Sequence, residues 1–228
     1  MLRFAAFTGL KRVLVADQTL EPTHVAGFNQ FFDDNDATDY VLYGAGIDQK
    51  FNDNVQGGAE FNLRELKYPI IDMNGSEEDW EEKVYRLYLY WTPHRYLSLG
   101  MEYQYELFER DQLILGGFPE ETETEIVPIH LTCFHPSGGF GRLGATYVSQ
   151  DVVYPAAPDD TLSDDFVLVD LAMGYRLPKR YGILSVEIKN LFNREFNFIE
   201  VAERSSQDVI APLFLPERSV ILKITMSL

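Results

Sequence analysis

Residues 164–198 read DDFVLVDLAMGYRLPKRYGILSVEIKNLFNREFNF, two alternating runs around a Pro178-Lys179-Arg180 turn. In the first run Val167, Val169, Leu171, Met173 and Tyr175 share one parity, and Leu168, Asp170, Ala172, Gly174 and Arg176 share the other. In the second, Leu184, Val186 and Ile188 alternate with Ser185, Glu187 and Lys189. A period of two marks a β-strand, because successive side chains leave opposite faces of the pleat. The pattern fits a soluble sheet with one wet face. It fits equally a membrane barrel with lipid outside and water in its lumen.

The same alternation recurs along the chain. Val41, Tyr43, Ala45 and Ile47 oppose Tyr40, Leu42, Gly44, Gly46 and Asp48. Gln56, Gly58, Glu60, Asn62 and Arg64 oppose Val55, Gly57, Ala59, Phe61 and Leu63. One long hairpin is predicted to turn at Thr92-Pro93-His94 and another at Pro136-Ser137-Gly138. In the tail Val220, Leu222, Ile224, Met226 and Leu228 alternate with Ser219, Ile221, Lys223, Thr225 and Ser227. The opening MLRFAAFTGLKRVLV reads as a strand, because Lys11 and Arg12 interrupt it too early for a signal peptide. Short turns, including Asn52-Asp53-Asn54, alternate with longer acidic links at 69–82, 111–124, 151–165 and 199–216. Tight turns at one rim and loops at the other suit an all-β, antiparallel up-and-down transmembrane β-barrel, or part of one, and a soluble up-and-down barrel could show the same, with less reason to. The expected count is roughly 10–11 strands in one domain spanning 1–228.

Composition narrows the partners. A formal charge of -17 argues against nucleic acid, which requires a basic face. The single cysteine, Cys133, excludes an internal disulfide. Aromatic residues make up 14% of the chain, as interfacial girdles would require. No apolar run reaches the roughly 18 residues of a membrane-spanning helix. Ionic residues fall mid-strand on the polar parity, where a water-filled lumen accepts them and a dry core would not.

Asp170, Gly174 and Tyr175, then Asn190-Leu191-Phe192-Asn193 and Phe196, then Pro216-Glu217-Arg218 together resemble the end of the TonB-dependent receptor barrel. Leu20-Glu21-Pro22 is similar to a hairpin-opening segment of such barrels. The whole is also similar to outer-membrane proteins that fuse a tetratricopeptide array to the barrel. The resemblance is more specific over 165–228 than over 1–165. It implies an outer-membrane location, contact with outer-membrane lipid, and passage or binding of a solute. The chain departs from the family in showing no plug, TonB box or signal sequence. It also ends in Leu228 where an aromatic residue is usual. The expectation is the C-terminal portion of a longer chain, with an upstream plug or repeat domain as partner.

Other motifs carry less. Gly139-x-Gly141-x-x-Gly144 has dinucleotide-fingerprint spacing but runs into the strand-like ATYVSQDVVY instead of a helix. Asp33 to Asp39 resembles a calcium loop, with Thr38 where glycine is needed. His130 opposes Cys133 and His135 in parity, which disfavours a zinc site. No Gly-x-Ser-x-Gly or spaced triad calls for catalysis. No catalytic residue, metal or cofactor is expected.

The expected function is therefore solute uptake or passage, with Asp170, Arg176, Glu187, Lys189 and Lys223 facing the lumen. The acidic loops favour cationic or metal-chelate ligands. Two further readings stay open: a barrel that anchors or exports for an upstream helical-repeat scaffold, and a soluble lipocalin-like binding barrel.

Overall fold

The computed structural model describes residues 1–10, 24–25, 28–29, 37–69, 77–110, 119–154, 161–199 and 214–226. Among these described residues lie twelve strands, β1 (Leu2–Leu10), β2 (His24–Val25), β3 (Phe28–Asn29), β4 (Asp39–Lys50), β5 (Val55–Pro69), β6 (Glu77–His94), β7 (Leu97–Arg110), β8 (Glu121–Phe134), β9 (Gly139–Val153), β10 (Thr161–Arg176), β11 (Gly182–Lys189) and β12 (Ser219–Met226). Ten of them form one sheet in the order β1-β4-β5-β6-β7-β8-β9-β10-β11-β12, and β2 with β3 makes a separate two-stranded hairpin. Every neighbouring pair is antiparallel. The fold is all-β and up-and-down. Among the described residues β1 and β12 are the sheet's two edges and do not pair with each other.

The short turns gather at one rim, termed the lower rim. They join β4 to β5, β6 to β7, β8 to β9, and β10 to β11, the last through a single 3₁₀ turn at Pro178–Arg180. The sequence placed the β6–β7 turn at Thr92-Pro93-His94. Strand β6 instead continues through His94, the register shifts between Trp91 and His94, and the reversal falls at Arg95 and Tyr96. Pro93 is accommodated because a bulge needs no ladder N–H there. Three of the longer links are shorter than expected, because β6 begins at Glu77, β8 at Glu121, β9 runs to Val153 and β10 begins at Thr161, which makes strand residues of many of their acids; Leu20-Glu21-Pro22, Asp33 to Asp36 and Leu228 lie outside the described residues.

The register sorts side chains onto two faces. The face holding nearly all the buried residues is the inner one: Leu42, Leu66, Trp80, Phe108, Ile126, Val148, Phe166 and Leu168 all lie on it. Two aromatic cores form toward its upper end. Trp80 stacks on Tyr68 with ring centroids 4.5 Å apart and meets the edge of Phe108 at 5.6 Å. Phe166 stacks on Phe196 at 4.4 Å, and Phe198 and Phe214 close over it. Fully burying one such ring contributes about 1.5–3 kcal/mol.

Four cross-strand pairs set a ring directly on a glycine of the neighbouring strand: Tyr40 on Gly9, Tyr88 on Gly58, His130 on Gly100 and Phe140 on Gly174. A side chain on any of these glycines would occupy the space of the ring. The glycines thus give rings a seat flat against the sheet, an arrangement known to pin strand register.

Candidate functional site: the polar inner face and the apolar outer band

The outer face is apolar from the lower rim to mid-strand. Leu87, Leu89, Met101, Ile129, Leu131, Leu143, Val167, Met173, Val186, Leu222 and Ile224 all point outward and are exposed. Exposure reaches 57% at Met173 and 67% at Leu222. Aromatic residues bound this band. Tyr43, Tyr85, Tyr105 and Tyr147 lie along its upper edge, with Phe61–Tyr85 and Tyr85–Tyr105 centroids 4.8 and 5.9 Å apart. Phe51, Trp91, Tyr175 and Tyr181 lie near the lower rim. On β10 the band runs from Val167 to Tyr175, close to the roughly 9–11 residues a tilted strand needs to cross a bilayer.

Above the band the outer face turns acidic. Asp39, Glu65, Glu77, Asp79, Glu81, Glu109, Glu121, Glu123, Glu125, Asp151 and Asp165 point outward, with Lys67 and Lys83 as the outward cations of these strands. Glu65, Glu81, Glu109 and Glu121 are register partners across β5, β6, β7 and β8. Lys83 sits within this row, bonded to Glu81 and, at 3.1 Å, to Glu109. The hydrogen bonds from its ammonium to those two carboxylates hold the Lys83 pKa above its ordinary value.

The inner face is polar behind the band, and its charges are largely matched. Arg3 bonds Asp48 at 2.8 Å and Glu60 at 3.2 Å. Arg86 bonds Glu102 at 2.7 Å, Tyr90 donates to the same carboxylate, and Tyr88 donates to Asp48. Higher up, Arg64 and Glu82 form a buried pair at 2.6 Å. The acidic excess of the strands therefore lies on the outer face above the band.

Four of the five residues expected at the lumen come together here. Lys189 Nζ donates to Asp170 Oδ2 at 2.7 Å, and Lys223 Nζ donates to both Glu187 oxygens at 2.9 Å. Arg176 stands apart at the lower end of β10, its guanidinium 5.8 Å from the centre of the Phe134 ring. Asp170, Glu187 and Lys189 line a cavity of about 300 Å³ together with Pro128, His130, Arg142, Gly144, Thr146, Leu168 and Phe214. The sequence reading missed His130 and Arg142 as members of this site. The alternation of β8 and β9 places both on the inner parity, but strand pairing alone makes them neighbours of β10 and β11.

Asp170 has a second task. Its Oδ1 accepts the Asn190 backbone N–H at 2.9 Å. Asn190 is buried with φ at 49°; its amide donates to the carbonyls of Arg194 at 2.9 Å and Pro216 at 3.3 Å, and its Oδ1 accepts the Arg194 N–H at 2.7 Å. Asn193, with φ at 53°, accepts the Arg218 N–H at 2.8 Å. Asp170, Asn190, Asn193, Pro216 and Arg218, among the residues that carried the resemblance, thus form one latch joining β10, the end of β11 and the start of β12.

Gly139, Gly141 and Gly144 lie within β9, which continues as strand to Val153. His130 points inward, Cys133 outward, and His135 sits in the β8–β9 turn. No group of three or more metal-binding side chains occurs among the described residues. No helix there is long and apolar enough to cross a membrane, which does not bear on strands.

No family model matches the chain, and neither a curated protein nor a solved structure does.

Proposed function

We propose that this chain forms wall of an outer-membrane β-barrel, similar to the C-terminal part of a TonB-dependent receptor, and that a solute binds or passes along its inner face. One observation carries the reading. The apolar parity of the strands is the exposed one, bounded by aromatic rows, while the parity behind it is charged and hydrogen-bonded. A water-soluble binding barrel needs the opposite, since an exposed apolar face of this extent favours aggregation. A bilayer inverts that cost and supplies the outer partner.

The edges bear on the size of the barrel. Ten alternating strands make β1 and β12 run in opposite directions. They can therefore pair with each other, or with an even number of intervening strands, as a receptor barrel of about 22 would provide. Either closure removes unpaired backbone groups from lipid, where each costs several kcal/mol. An upstream plug or repeat domain of the same protein fits the larger closure.

Flotation with phospholipid vesicles tests the membrane reading. The purified protein should rise with the vesicles and resist extraction by alkaline carbonate. Planar bilayers containing it should then show conductance steps. Protein that stays in the dense aqueous fraction would overturn the proposal.

A further inference from the structure

We infer that the inner cavity at Arg142 is a binding site for a small oxyanion, a carboxylate- or phosphate-bearing solute, held by the Arg142 guanidinium with His130 beside it. The inference deepens the proposed function and rests on the inner face being open to water.

The charges lining the cavity differ in what they touch. Its two carboxylates are already engaged: Asp170 by Lys189 and by the Asn190 N–H, and Glu187 by both contacts from Lys223. Arg142 lines the same cavity, is exposed, and has no carboxylate within 4.0 Å among the described residues. Its direct register partners are Thr132 on β8 and Ala172 on β10, both uncharged. A guanidinium there presents a planar fork of donors suited to two oxygens of one anion. His130, two residues away in register on β8, lines the same space with its ring seated over Gly100 of β7. With Asp170 paired to Lys189, and Glu187 to Lys223 just outside the lining, the cavity keeps the arginine's positive charge.

The chain's large negative charge does not cancel this. The outward acids of β9 and β10, Asp151 and Asp165, lie above the apolar band on the opposite face. Along β9, Asp151 is nine residues from Arg142, on the order of 30 Å at strand rise. That exceeds a Debye length of about 8 Å at physiological salt. Steering by net charge had favoured a cationic ligand, whereas the local field of this cavity favours an anion. The volume of about 300 Å³ suits a small solute.

The test is calorimetric titration of inorganic phosphate, and separately succinate, into detergent-solubilised full chain. Wild type should bind at least one probe. Arg142→Gln should weaken binding tenfold or more, and Arg142→Lys should weaken it less, since a point charge replaces a fork. Arg176→Gln, which removes a cation outside the cavity, should leave binding unchanged. If R142Q fails to fold, judged by circular dichroism and heat-modifiable gel mobility, R142K carries the test. Absence of binding by wild type, or equal binding by the Arg142 and Arg176 variants, overturns the site. Vesicle flotation of the same samples separates the two ideas. Protein that floats but binds neither probe sinks the anion site alone. Protein that binds through Arg142 but does not float sinks the membrane reading alone.

Discussion

At Gly58 the ring of Tyr88 lies on bare backbone while its hydroxyl reaches Asp48 on the next strand but one. The smallness of one residue thus positions a hydrogen bond two strands away. Gly58→Ala and Gly100→Ala should each cost about 1–3 kcal/mol, the usual penalty for overpacking, because the added carbon meets the Ile47 carbonyl and Tyr88 at the first site and His130 at the second. Urea titration of the refolded protein in micelles would measure it. Gly141→Ala is the control, since the nearest atom to an added carbon there is 3.9 Å away; its cost should stay below about 1 kcal/mol. Asn190 is the other decisive single residue. Asn190→Ala loses the hydrogen bonds to Arg194 and Pro216 and strains a left-handed backbone. Asn190→Gly relieves the strain alone, so it should lie between Ala and wild type in the same titration.

Among the elements, the upper ends of β5 to β8 hold an unfavourable arrangement, because Glu65, Glu81, Glu109 and Glu121 are direct cross-strand neighbours and like charges so placed repel. Lys83 offsets part of this repulsion. Lys83→Met should destabilise by up to about 1 kcal/mol, as expected for a partly exposed pair. Added salt should shrink the difference. The pH dependence follows from the raised Lys83 pKa. The stabilisation is complete below the unfolded value of about 10.4 and is lost as pH rises through the higher folded value. Wild type and K83M should therefore differ at pH 8 and converge in strong alkali. A difference that is flat with salt would assign Lys83 a packing role instead.

For the whole molecule, the two faces should respond oppositely to the same charge. Val169 points outward in the apolar band, and Ala172, three residues on, points inward opposite Arg142. Val169→Asp should impair assembly into vesicles by an amount on the order of 2 kcal/mol, read as lost heat-modifiable mobility. Ala172→Asp should assemble normally and place a carboxylate beside Arg142. Equal damage by both would mean that the outer face is not lipid-facing.

The strand class, the up-and-down order and the two-face sorting were legible in the sequence, because a strand's side-chain period is a local property of backbone geometry. The turn at Thr92-Pro93-His94 was misplaced by a few residues because a bulge, which depends on the partner strand, let Pro93 remain in β6. The NLFN and Pro-x-Arg segments were visible as a pattern without a reason; the reason is the latch through Asp170 and Asn190, which joins residues far apart in the chain. The cavity was readable in part. Asp170, Glu187 and Lys189 follow from alternation, but alternation does not say which strands are neighbours. Only strand pairing set His130 and Arg142 beside them, matched the lysines to the carboxylates, and separated the outer acidic rows from the balanced inner face. Local periodicity determined which way each side chain points; long-range register decided what it meets there, and a charge acts through what it meets.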